Sequence, residues 1–274
     1  MAKYGQLLVV ILGTLLACKP QSKVEEHQSG SPLYSVTKIE KKSGCISEDD
    51  TSKCIHIDLS YPTMSDGSST FKPYYNHLID SLMASTIRSF KIEADSTAGS
   101  TNKLEDEINS LFENFETVSA ESGAEQANRW EVECEATIGF ENNQLLCINI
   151  VTYSYTGGAH PNTYTQLVTV DKIAHKIIPV AALFADQTKV TQWLETEFKL
   201  AKNLEAQADL EQKGYFLKDG KFFLPDNVSF CKDSIVFYYN DYEIASHAEG
   251  PIELKFPLSQ VKTYLEGSLV EKLR

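Results

Sequence analysis

Basic charge is what this sequence is short of: 25 Lys and Arg stand against 38 Asp and Glu, a formal net charge of -13. Duplex binding runs on Lys and Arg neutralising phosphates, so a nucleic-acid partner is excluded as an expectation. Docking on anionic lipid through a basic surface is excluded on the same ground. Nucleotide cradles are missing too, with neither G-x-x-x-x-G-K-[ST] nor G-x-G-x-x-G in the chain. The absence of G-x-S-x-G removes the α/β-hydrolase elbow. There is no H-E-x-x-H and no C-x-x-C, and the six histidines (His27, His56, His77, His160, His175, His247) lie far apart. Neither a metal nor a cofactor is therefore expected. What is present is ample apolar material, 42% hydrophobic and 10% aromatic over 274 residues, enough for one large domain or two small ones.

A long hydrophobic run is also lacking. Leu7 to Leu16 is the one uncharged, mostly apolar stretch near the start, preceded by Lys3. At 1.5 Å per residue it spans about half of a ~30 Å hydrocarbon core, which suits a signal-peptide core rather than a transmembrane helix. Leu15-Leu16-Ala17-Cys18 follows and resembles a bacterial lipobox, in which the cysteine takes a diacylglyceryl thioether and cleavage falls before it. Residues 1–17 are thus expected to be a lipoprotein signal peptide, with Cys18 acylated by chains of the palmitate class. Several chains suffice for stable anchoring where one is marginal. Removing residues 1–17 takes away Lys3 and no acidic residue, so the charge moves from -13 to -14. Residues 18–32, with Val24 as their one large apolar side chain, read as a flexible tether. The expected location is the cell envelope, on the periplasmic or surface face of a bacterial membrane.

In an oxidising exported compartment, disulfides are the default use of the remaining cysteines. Cys45 and Cys54 bracket a polar loop between two strand-like runs and are expected to pair. Cys134 and Cys147 lie on neighbouring predicted strands and are a second candidate pair. Cys231 is left over, read as a buried inert thiol.

Periodicity organises the rest. Leu33 to Lys41 and Cys54 to Tyr61 alternate as strands, and a helix follows at about 73–92 with Tyr75, Ile79, Leu82, Met83 and Ile87 on one face. Asn102 and Glu105 have the spacing of a capping box, opening a helix with Leu104, Ile108, Leu111 and Phe115 inward. Residues 129–155 read as a hairpin turning at 141–144, followed by a strand at Tyr164–Val170. A helix is predicted at about 188–206, a tight turn at Asp219-Gly220, strands at 228–231, 234–240 and 252–256, and a short final helix from Leu258. Strands and helices without regular alternation indicate an α+β fold with mainly antiparallel sheets, in two intimately joined halves at 33–160 and 161–274.

Two segments stand out chemically. Tyr153 to Asn162 (Y-S-Y-T-G-G-A-H-P-N) reads as a ligand-contact loop through Tyr155, Gly157, Gly158, His160 and Asn162, or as a plain turn between strands. Tyr238 to Pro251 (Y-Y-N-D-Y-E-I-A-S-H-A-E-G-P) offers Tyr239, Asp241, Tyr242 and Glu243. Its acidic residues with His247 have neither a helix face nor a calcium-loop spacing, so an aromatic turn that packs or binds is favoured over metal or acid/base chemistry. No catalytic residue is assigned. A hydrolase built on Asp241, Glu243 and His160 or His247 would require those side chains to converge.

Together the two segments resemble the RsiV C-terminal domain family. The Cys-bracketed strand ending Tyr61-Pro62, with the helices after it, resembles the PdaC-type domain that precedes it. The resemblance covers about residues 33–265 and implies an α+β extracytoplasmic module. One branch senses lysozyme as the ectodomain of a membrane anti-sigma factor; another accompanies a peptidoglycan deacetylase. This chain shows neither a sigma-binding segment nor a deacetylase catalytic domain with its Asp and paired-His site. The implied function is a lipid-anchored, non-catalytic binding module, with loops 155–162 and 239–243 meeting a lysozyme-like protein or peptidoglycan glycan. A cell-wall hydrolase or deacetylase and a purely structural lipoprotein are the alternatives.

Overall fold

The computed structural model describes residues 33–45, 53–67, 70–91, 103–121 and 129–273. Cys18, the tether and the Asn102 cap lie outside them. The first sheet has six strands in sequence order: β1 (Tyr34–Ser43), β2 (Ile55–Met64), β3 (Trp130–Glu141), β4 (Leu145–Tyr155), β5 (Asn162–Asp171) and β6 (Lys176–Ile178). Neighbours are antiparallel except β2 and β3, whose parallel pairing (Ile55 opposite Trp130) is forced by the helical crossover between them. That crossover holds α1 (Phe71–Arg88) and α2 (Leu104–Glu121). The apolar stripes predicted for both lie on the sheet: Tyr75, Ile79, Met83 and Ile87 of α1 and Ile108, Leu111 and Phe115 of α2 pack against Ile57, Leu59, Val132 and Ile148. Charge ties the two helices together. Glu107, 3% exposed, accepts from Arg88 Nε and Nη2 at 3.0 and 2.9 Å and from Lys91 Nζ at 2.7 Å.

The second half contains a 3-10 turn (Val180–Leu183), α3 (Gln187–Ala201), a three-stranded antiparallel sheet of β7 (Asn227–Phe230), β8 (Ser234–Tyr239) and β9 (Ile252–Pro257), and the short helices α4 (Leu258–Val261) and α5 (Gly267–Lys272). Val190, Leu194 and Phe198 of α3 close over Phe230, Phe237 and Tyr239 as a second core. β6 went undetected because three residues are too few for a period-2 signal. At Asp219-Gly220 the expected tight turn is present, with φ of 52° and 70° and reciprocal backbone bonds between Lys218 and Lys221. Among the described residues no helix is long and apolar enough to cross a membrane. The architecture is α+β, as the sequence implied.

Cys45 and Cys54 form the expected disulfide, Cα atoms 4.4 Å apart, clamping the β1–β2 connection. Replacing both with Ala is expected to cost about 2.7 kcal/mol, the chain-entropy value for a ten-residue loop. A urea midpoint unchanged from the parent would contradict this. The Cys134–Cys147 pairing is overturned: both are free thiols. Cys134 stands opposite Thr152, five residues along β4 from Cys147. At about 3.4 Å per residue that is some 17 Å, against the ~7 Å limit for Cα atoms of a disulfide. Five is also odd, so the thiols face opposite sides of the sheet, Cys134 in the first core and Cys147 in the second. Cys231 is buried, but it is disulfide-bonded rather than an inert thiol.

Candidate functional site

The outer edge of β5 decides where the two chemically unusual segments lie. β6 pairs only with Thr169–Asp171, leaving the outer edge of the first half of β5 without a backbone-paired strand. Two side-chain amides take that place. Asn240, 7% exposed, accepts from Thr165 N–H at 2.7 Å through Oδ1 and donates to Thr165 O at 2.9 Å through Nδ2. Asn227 Oδ1 accepts from Leu167 N–H at 2.8 Å. An edge strand that would otherwise leave backbone groups unsatisfied is thereby sewn to the end of β8 and the start of β7. Asn227 is buried by this role, which also closes the formal Asn-Val-Ser sequon to glycosylation in the folded state.

Asn240 is the first residue of the turn carrying Asp241 to Glu243. Its N–H donates to Glu243 Oε2 at 2.8 Å, and Glu243 N–H donates back to Asn240 O at 3.1 Å. Glu243 is half-buried, and that burial raises its pKa above the ordinary carboxylate value despite backbone donors from Asn240 and Asp226. Tyr242 sits at φ 63°, a left-handed conformation that turns its ring outward, 54% exposed. Tyr239 is different: it is fully buried, and its hydroxyl donates to Phe223 O at 2.6 Å. It anchors the turn from inside and offers no surface to a ligand.

The other segment joins β4 to β5. Gly157 and Gly158 have φ of 94° and 107°. A Cβ on Gly158 would meet nothing within 4 Å, so backbone conformation rather than crowding calls for glycine. Tyr155 is half-buried and its hydroxyl donates to Gly158 O at 3.1 Å, closing the loop on itself. His160 and Asn162 are exposed.

The segments meet at three rings. His160 stacks on His247 with centroids 4.5 Å apart and planes within 6°, and Tyr242 stacks on His247 at 5.6 Å and 12°. His247 Nδ1 lies 2.9 Å from Asp241 Oδ2. An ionised carboxylate can only accept, so this nitrogen carries the proton. Asp241 Oδ1 is buried with no hydrogen-bond partner. Of the convergence a hydrolase would require, Asp241, His247 and His160 come together, while Glu243 is turned toward the backbone of its own turn. Among the described residues no group of three or more His, Cys, Asp or Glu is placed to hold a metal.

Two grooves flank the rings and share Tyr164, half exposed on β5. The first, about 480 Å³, is lined by carboxylates (Asp226, Asp241, Glu243), the rings of Tyr164, Phe223 and Tyr242, and Lys218. The second, about 560 Å³, lies between the end of α1 and the β4–β5 floor. A larger depression of about 680 Å³ runs along α3 and contains none of the residues singled out from the sequence. Asn227, Asn240 and Tyr164 were not singled out, since their roles depend on which strand edge they reach. His247 figured only in the hydrolase alternative.

Comparison with known proteins finds a match in each half. Residues 48–163 match the family model described as Deacetylase PdaC, and residues 181–259 match Protein of unknown function (DUF3298). In chain order, then, a segment similar to a PdaC-type domain is followed by one similar to a DUF3298 domain. Two solved DUF3298 family proteins share the fold. The one from Bacteroides fragilis has a TM-score of 0.65 at 20% identity, covering 88% of this chain and 96% of that one. The one from Pseudomonas aeruginosa PAO1 has a TM-score of 0.57 at 18% identity, covering 87% and 97%. No curated protein matches the sequence. The pair of domain types suggests an extracytoplasmic envelope protein. His160 comes from the PdaC-type segment and His247 from the DUF3298 segment, so the ring stack sits where the two domains meet.

Proposed function

We propose that this protein is a lipid-anchored, non-catalytic binding module of the bacterial cell envelope, and that its ligand is a cationic protein of the lysozyme type. The anchor follows from Leu15-Leu16-Ala17-Cys18. The observation that carries the ligand class is the groove around Asp241, where three carboxylates and the rings of Tyr164 and Tyr242 surround a space entered by one lysine, Lys218. Such a groove suits an inserted guanidinium or ammonium group, which gains from both charge and ring faces. Asp241, whose buried Oδ1 has no hydrogen-bond partner, adds an uncompensated carboxylate to the wall of this groove. The net charge of -13 adds long-range attraction for a basic partner.

Titration calorimetry of the full chain in detergent with hen lysozyme, at low and physiological ionic strength, tests this. Saturable binding that weakens with salt is expected, with Tyr242→Ala and Asp241→Asn each raising Kd about tenfold, or about 1.4 kcal/mol. Binding insensitive to salt and to both variants would remove the groove from the account, and no heat at either ionic strength would remove the ligand class. A wall glycan is the second reading, favoured by the uncharged groove on the other side of Tyr164.

A further inference from the structure

The sheet face that α1 covers changes character along two adjacent strands. On β4 the inward positions run Leu146, Ile148, Ile150 and then Thr152, Ser154, with Thr156 just beyond the strand end. On β5, read backwards, they run Val170, Val168 and then Gln166, Tyr164, Asn162. The two polar runs are side by side: Ile150 stands opposite Gln166, Thr152 opposite Tyr164 and Ser154 opposite Asn162. The change occurs where α1 ends, its last turn giving way to Ser89 and Phe90. Beyond that end the floor is open, forming the groove of about 560 Å³ walled by Ser85, Thr86, Ser89 and Phe90 on one side and Gly157 and His160 on the other.

No Asp, Glu, Lys or Arg lines this groove, on a chain in which 23% of residues are charged. A phosphate or a charged peptide would find no counter-charge, and a purely apolar ligand would strand the Thr, Ser, Asn and Gln groups beneath it. Three lining hydroxyls are oriented by the protein itself. Thr86 and Ser89 donate to Leu82 O and Thr86 O, at 3.1 and 2.7 Å, and Thr152 donates to Cys134 Sγ at 3.4 Å. Thr86 and Ser89 are thereby left with oxygens free to accept, while Thr152, 2% exposed, is fixed in the floor. The amides of Asn162 and Gln166 supply paired donor and acceptor groups, and the rings of Phe90, Tyr164 and His160 give flat apolar walls.

We infer that this groove binds a neutral oligosaccharide, whose hydroxyls match the acceptors and amides and whose sugar faces lie on the rings. The inference rests on the reading of the chain as an envelope binding module and deepens its glycan reading by assigning the groove and an uncharged ligand. Because Tyr164 also lines the acidic groove, a linear sugar chain can continue past it toward the 240–243 turn.

Chitotetraose, an uncharged tetrasaccharide, is the probe. Titrated into the full chain in detergent, it is expected to bind saturably with a Kd at or below about 1 mM, unaffected by salt. Asn162→Ala/Gln166→Ala is expected to weaken binding at least tenfold, and Ser89→Trp, which fills the groove, to abolish it. Glu211→Gln, in the depression along α3 and lining neither groove, should leave it unchanged. Thermal melts of each variant in the absence of sugar check the fold. Absence of binding by the parent protein, or binding by both groove variants equal to the parent's, overturns the inference. The lysozyme titration reports separately, so failure with sugar and failure with protein remain distinguishable.

Discussion

Asn240→Ala is expected to lower the unfolding free energy by about 2–5 kcal/mol, because it leaves a buried N–H and a buried C=O of Thr165 without partners at about 1–3 kcal/mol each. The Asn240 amide meets that backbone at 2.7 and 2.9 Å, and β6, which pairs only with Thr169–Asp171, does not reach it. Urea unfolding followed by far-UV circular dichroism measures the loss. A drop below about 0.5 kcal/mol would show that water satisfies the β5 edge equally well. Asn240→Asp separates the two bonds: it keeps the acceptor for Thr165 N–H but sets a carboxylate oxygen against Thr165 O, so it is expected to destabilise nearly as much. Function follows stability here. Asn240 fixes the height of the 241–247 turn against β5, and with it the stacking of His247 on His160. Ligand affinity is therefore expected to fall in Asn240→Ala even under conditions where the protein stays folded.

The second large effect is expected at Glu107. Replacing it with Gln leaves Arg88 and Lys91 facing a neutral amide in a nearly closed site, at a cost of about 2–4 kcal/mol; the figure is held down because Arg88 is one-third exposed. Its pH dependence has a definite sign. Burial acts to raise the Glu107 pKa, but the hydrogen bonds and charges of Arg88 and Lys91 outweigh it and hold the carboxyl below its ordinary value. A carboxylate with a depressed folded-state pKa contributes stability that is full above the unfolded-state value, about 4.3, and is lost as pH falls through the folded-state value. The parent protein should therefore exceed Glu107→Gln in stability at pH 7, with the gap closing below about pH 4. A gap that stays constant from pH 7 to pH 3 would mean that Glu107 acts by shape alone.

Much of the fold is legible locally. The α1 stripe of Tyr75, Ile79, Met83 and Ile87, the alternation from Trp130 to Ala136 and the Asp219-Gly220 turn are all short-range patterns, and a period of 3.6 or 2 survives whatever the partner element is. The Cys45–Cys54 pairing was legible for the same reason: a short polar loop brings its own ends together.

The candidate site was legible only in its ingredients. Tyr153–Asn162 and Tyr238–Pro251 are unusual as sequences, but nothing within either segment states that His160 will stack on His247. That contact depends on two side-chain amides standing in for a missing strand, an arrangement with no periodic signature. Cys134 and Cys147 show the same limit from the other side. The strands were placed correctly, yet register decided that the thiols lie about 17 Å apart on opposite faces. The polar floor of the neutral groove is likewise a run of ordinary Thr, Ser, Asn and Gln residues until β4 and β5 are paired and α1 is seen to end above them.

By itself, then, the sequence determined most of the elements and the α+β class, because these depend on interactions between residues close in the chain, and the order of the two domain types followed from the resemblance. Tertiary structure alone decided which faces meet, which thiols are out of reach, and where rings, carboxylates and hydroxyls converge. Those outcomes rest on strand register and helix length, and a shift of one residue in either exchanges the inside of the sheet for the outside.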